Sequence, residues 1–136
     1  MTITPARDIR IWSDEKGYVQ HTAREGSDAD LVGQWLTSDI QGDGEHLIEL
    51  LDAIEALRSA QAYKPYEASG NAWHAVIGKD HVDIENKYMD HLTGAVPVET
   101  VLRIMRSYWD ALRESTLEEG KRNFLKFHRR EPRLPW

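Results

Sequence analysis

"AWHAVIGKDHVDIEN", Ala72–Asn86, is the stretch whose reading decides the fold. Apolar and polar side chains alternate on both sides of Gly78-Lys79-Asp80, which is the period of a β-strand. The alternation also carries a register. With Lys79 and Asp80 at the tip of a turn, Ile77 faces Val82 and Ala75 faces Ile84, so the apolar side chains share one sheet face with Trp73. The other face then holds His74, Val76, His81, Asp83 and Glu85. Lys-Asp is not a favoured two-residue turn, so a longer loop with the same face assignment also fits.

Upstream, "DGEHLIELLDAIEALRSAQAYK" (Asp43–Lys64) reads as a helix. Leu47, Leu50, Leu51, Ile54 and Leu57 recur on one helical face, and Asp43 suits the N-cap. Downstream, "NKYMDHLTGAV" reads as a loop. Pro97 then sits in the first turn of a helix through "VETVLRIMRSYWDALRES", with Val101, Leu102, Met105, Tyr108, Trp109 and Leu112 toward a core. Near the N-terminus, "IRIWSDEKGYVQHTA" reads as a hairpin whose turn uses Gly17 at positive φ. "LVGQWLTS" (Leu31–Ser38) fits two readings. Ser27 suits the cap of a helix starting at Asp28, while Val32, Gly33 and Trp35 suit a strand; the strand is preferred. The resulting expectation is an α+β fold: an antiparallel sheet of two hairpins, with that stretch as a fifth strand, packed on one face by two helices.

The 136 residues suffice for one hydrophobic core, and 40% hydrophobic with 29% charged residues is the composition of a soluble globular domain. No apolar run approaches the roughly 20 residues needed to span a bilayer, the N-terminus lacks the apolar block of a secretory signal, and cysteine is absent. A cytoplasmic location is expected. Charge divides the chain sharply: residues 1–120 carry 22 acidic and 11 basic side chains, residues 121–136 six basic and one acidic. A domain over residues 1–118 and a basic, aromatic tail over 119–136 are expected.

The helix at 43–64 carries Glu45, Glu49, Asp52 and Glu55 opposite its apolar face, with Asp39 and Asp43 just upstream. Such a stripe is either a solvated helix face or a surface that captures a basic partner. His74, His81, Asp83 and Glu85 have the chemistry of metal ligands or of an acid–base pair, but His81 and Glu85 are about 13 Å apart along one strand. The reading preferred for them is the ordinary polar face of a hairpin. No nucleophile elbow, phosphate-cradling loop or His-Glu-x-x-His pattern occurs, so no catalytic residue, metal or cofactor is expected. In the tail, Phe124, Leu125, Phe127, Leu134 and Trp136 interleave with Lys121, Arg122, Lys126, Arg129, Arg130 and Arg133. Docking on the body or on a protein partner is preferred to nucleic-acid binding, because the acidic body opposes a nearby polyanion.

"VGQWLTSDI", "LIELLDAIEAL", "AWHAVIGKDHVDIEN" and "VETVLRIMRSYWDAL" resemble, in order and spacing, the YacL-like family of small bacterial proteins, over about Ile9–Leu112. The basic tail after Gly120 departs from that pattern. Small acidic proteins of this kind also occur among the immunity proteins of contact-dependent growth inhibition. The resemblance implies a cytoplasmic immunity protein that neutralises a cognate basic toxin, a nuclease; the acidic face read from the chain itself, Asp39, Asp43, Glu45, Glu49, Asp52 and Glu55, is the expected contact, and no membrane partner is expected. The alternative is a small nucleic-acid-associated protein acting through its tail.

Overall fold

The computed structural model describes residues 3–136. Ten elements follow in order: β1 (Ile9–Ser13), β2 (Val19–Ala23), α1 (Asp28–Asp39), α2 (Gly44–Arg58), β3 (Tyr66–Ser69), β4 (Trp73–Ile77), β5 (His81–Asn86), β6 (Thr93–Pro97), α3 (Val98–Ala111) and α4 (Glu114–His128). The fold is α+β, with two separate antiparallel sheets, β1-β2 and β3-β4-β5-β6.

The central hairpin has the register its alternation implies. Ile77 pairs with Val82 and Ala75 with Ile84, and the Gly78 N–H donates to His81 O at 2.9 Å across the Lys79-Asp80 turn. Trp73, Ala75, Ile77, Val82 and Ile84 are buried on one face, where α1 and α3 lie against the sheet. The β1–β2 loop is closed by Asp14, whose carboxylate accepts the N–H groups of Lys16 and Tyr18 at 2.9 Å, with Gly17 at φ 86°.

Leu31–Ser38 is helical, which overturns the expected fifth strand. Ser27 Oγ accepts the Asp30 N–H at 3.1 Å, and Ala29, Val32 and Leu36 are buried at helical spacing together with Trp35. Gly33 is a packing residue rather than a strand interruption: a Cβ there would lie 2.6 Å from His21 Cδ2 and 2.8 Å from Ile9 Cδ1. A short apolar run satisfies either period, and the cap plus the hairpin's close approach select the helix.

Two further strands complete the sheet, and β6 lies where a loop was expected. β3 pairs with β4, and β6 pairs with β5 and buries Val96. Each has only one partner strand and at most one buried side chain, so neither carries a strong alternating signal of its own. The two helices against the sheet are α1 and α3; α2 packs behind them against α3 and α4.

The expected break at residue 119 lies inside α4. Leu117, Gly120 and Phe124 of α4 are buried. A Cβ on Gly120 would fall 2.7 Å from the Gly44 carbonyl carbon, and one on Gly44 2.8 Å from Thr116 O. The backbones of α2 and α4 therefore touch at a glycine pair. Ile48, one turn beyond Gly44, is fully buried although it stands among acidic residues. α2 thus has two buried faces, one toward the main core and one toward α4.

Candidate interaction surfaces

The acidic face of α2 is largely occupied by the chain itself. After α4, Arg129 turns the backbone through the left-handed region (φ 58°, ψ 33°), and residues 130–136 form an extended arm. The Arg130 guanidinium donates through both terminal nitrogens to the two oxygens of Asp52, at 2.9 and 2.8 Å. The Arg133 backbone N–H donates to the same carboxylate at 2.8 Å, and its guanidinium lies 3.4 Å away. Asp52 is 7% exposed. Burial pushes its carboxyl pKa up, but the hydrogen bonds and charges of Arg130 and Arg133 outweigh this and hold it below the ordinary value. One turn earlier, Glu49 Oε1 lies 2.6 Å from His128 Nε2. Glu55 pairs with Arg58 at 2.9 Å.

The remaining members of the expected site are scattered. Asp43 caps α2, accepting the Glu45 N–H at 3.0 Å, and is exposed, while Glu45 is half-buried. Asp39 stands apart at the end of α1, against the β3–β4 turn; a Cβ on Gly70 would collide with its carboxylate. Burial raises the Asp39 pKa, and the charges of His46 and Lys87 offset this only in part. The six carboxylates do not form one open stripe.

The arm ends on aromatic packing. Trp136 meets Trp109 edge to face, with ring centroids 5.5 Å apart, and the Arg106 guanidinium lies 5.1 Å from the Trp136 ring centre. Lys121 covers the other tryptophan ring at 5.5 Å. Arg133 Nε also donates to Gln61 Oε1. Of the six basic residues after Gly120, Arg130 and Arg133 are committed to Asp52 and Lys121 to Trp109 and Glu118, whereas Arg122, Lys126 and Arg129 are exposed.

The outer face of the four-stranded sheet is open. Its cross-strand rows are Glu67–Val76–Asp83–Ala95 and Ser69–His74–Glu85–Thr93. Glu67, Asp83 and Glu85 are exposed, and a depression of about 380 Å³ lies between β4, β5 and β6, lined by His74, Val76, Asp83, Glu85, Thr93 and Ala95. Among the described residues the only ion-pair contact on this face is His74 with Glu67, at 4.0 Å; no cation reaches Asp83 or Glu85. Among the described residues no three His, Asp or Glu side chains converge as a metal-holding group. In the loop after β5, Asn86 Oδ1 accepts the N–H groups of Tyr88 (2.9 Å) and Met89 (3.0 Å), and both side chains are exposed.

Two features of these surfaces escaped the sequence reading. Ile48, an apolar residue inside the acidic stripe, is the signal that α2 has a second buried face. His21 carried no comparable signal; its ring nitrogens lie 3.2 Å from Asp30 Oδ1 and 3.4 Å from Thr37 Oγ1, tying β2 to α1. Among the described residues no helix is long and apolar enough to cross a membrane. Compared with models of known protein families, with curated proteins and with solved structures, the chain matches none.

Proposed function

We propose that this chain is a cytoplasmic immunity protein that binds and neutralises a basic toxin, a nuclease, without chemistry of its own. The observation that carries the reading is the open sheet face, where Asp83 and Glu85 stand uncompensated beside Glu67, with Tyr88 and Met89 exposed in the loop after β5. Asp83 and Glu85 alternate along β5, which is paired on both sides, so their backbone spacing is fixed where they meet a phosphate-binding surface. Exposed aromatic and methionine side chains next to them supply the apolar anchor that charge alone lacks. At the start of α2, Asp43 and Glu45 remain accessible to such a partner, whereas Glu49 holds His128 at the end of α4 and Asp52 seats the arm.

The test begins with isolation of the protein at low salt with nuclease treatment, and mass spectrometry of whatever protein remains bound in stoichiometric amount. Against that partner, Asp83→Lys with Glu85→Lys is expected to weaken binding at least tenfold while leaving the thermal midpoint within a degree or two. Unchanged affinity removes the sheet face from the interface.

A second reading is favoured by one observation: Arg122 and Lys126 lie one turn apart on α4, with Arg129 just after its end, and all three are exposed. A nucleic-acid partner held there would give a salt-dependent complex that Arg122→Glu with Lys126→Glu abolishes. The sheet-face variant would leave that complex intact.

A further inference from the structure

The arm, Arg130–Trp136, is held by side chains and not by secondary structure. It leaves α4 through Arg129 in the left-handed region, a conformation that strains any residue carrying a Cβ. Its seat comprises Asp52 on α2, Gln61 in the loop after α2, and Arg106 and Trp109 on α3. None of these contacts depends on the covalent link through Arg129. An identical arm from another molecule therefore meets an identical seat.

We propose that the partner fitted to this seat is a second copy of the chain: two molecules exchange Arg130–Trp136 about a two-fold axis beside the C-terminal ends of α4. On exchange Arg129 passes into the right-handed helical region, so its strain is relieved while every arm contact is kept. Seven extended residues reach about 23 Å, enough to cross between adjoining helix ends. The surface beside the hinge fits this arrangement. Phe127, near the end of α4, is 78% exposed, and the axis would bring this side chain of the two copies together. Lys126 and Arg129 would also approach their counterparts, which sets a repulsion that added salt screens.

The chain has no cysteine, so introduced thiols report the exchange without background. One chain would carry Gln61→Cys and another Arg133→Cys; the two are mixed, equilibrated at high concentration and oxidised. A covalent heterodimer is expected, with a yield that falls severalfold when Arg129→Gly frees the reversed hinge of strain or Phe127→Ser removes the apolar contact. The unmodified chain is expected to show a monomer–dimer equilibrium in sedimentation. The proposal is overturned if the mixed chains cross-link no more than Gln61→Cys mixed with Glu25→Cys, or if the unmodified chain sediments as a monomer throughout.

Discussion

Asp52 and Asp39 show how far a carboxylate's role depends on what folds over it. Asp52 is nearly buried and holds two arginines, so Asp52→Asn should lower stability by about 1–2 kcal/mol, discounted because both arginines are partly exposed. Its folded pKa lies below the ordinary 3.8, so this contribution is complete above about pH 4 and is lost as acid takes the pH below 3.8 and through the folded value. The gap in urea midpoint between the wild type and Asp52→Asn should therefore narrow as the pH falls from 7 to 3. Asp39 has the opposite sign. Its pKa is raised by burial, so the folded state holds its proton more tightly than the unfolded state, and ionised Asp39 is a liability at neutral pH. Asp39→Asn is expected to raise the thermal midpoint slightly at pH 7, with the gain vanishing below pH 3.8. Both residues were legible as acidic and helical. Their opposite environments were not, because one depends on Arg130, 78 positions away, and the other on the Gly70 turn.

At the scale of elements, two helices rest on particular small residues. Ser27 caps α1, and Ser27→Ala should cost about 1 kcal/mol, read as a shift in urea midpoint. A strand at Leu31–Ser38 would be indifferent to that change. Gly120 lets α4 touch α2. Gly120→Ala gains up to about 1 kcal/mol of helix propensity, yet its methyl would meet the backbone of Gly44 and Glu45 under 3 Å, which cannot yield as a side chain can. A net loss of about 1–3 kcal/mol is expected, with α4 and the arm exchanging amide hydrogens faster than the sheet. The hairpin β4–β5 and the apolar face of α2 were readable because their periods repeat within the segment. β3, β6 and α4 were not, since each is stabilised by a partner found elsewhere in the chain.

For the whole molecule, charge was the part of the reading that changed most. An acidic body and a basic C-terminus were evident in the sequence, and the folded chain brings them together: Glu49 meets His128, and Asp52 meets Arg130 and Arg133. Asp83 and Glu85 on the open sheet face meet no cation, so their reversal should affect a partner and not the fold, while reversal at Glu49 and Asp52 should lower the thermal midpoint. By itself the sequence determined the α+β class, the β1–β2 hairpin, the register and faces of β4–β5, and the core faces of α2 and α3. All of these follow from periodic patterns between residues a few positions apart. Only the tertiary structure decided that Leu31–Ser38 is helical, that the sheet has four strands, that α4 continues through residue 119, and that Asp52 in the acidic stripe is the seat of the arm. The reason is physical: each of these depends on burial or pairing between segments distant in the chain, and a free energy shared between two segments is not written in either one alone.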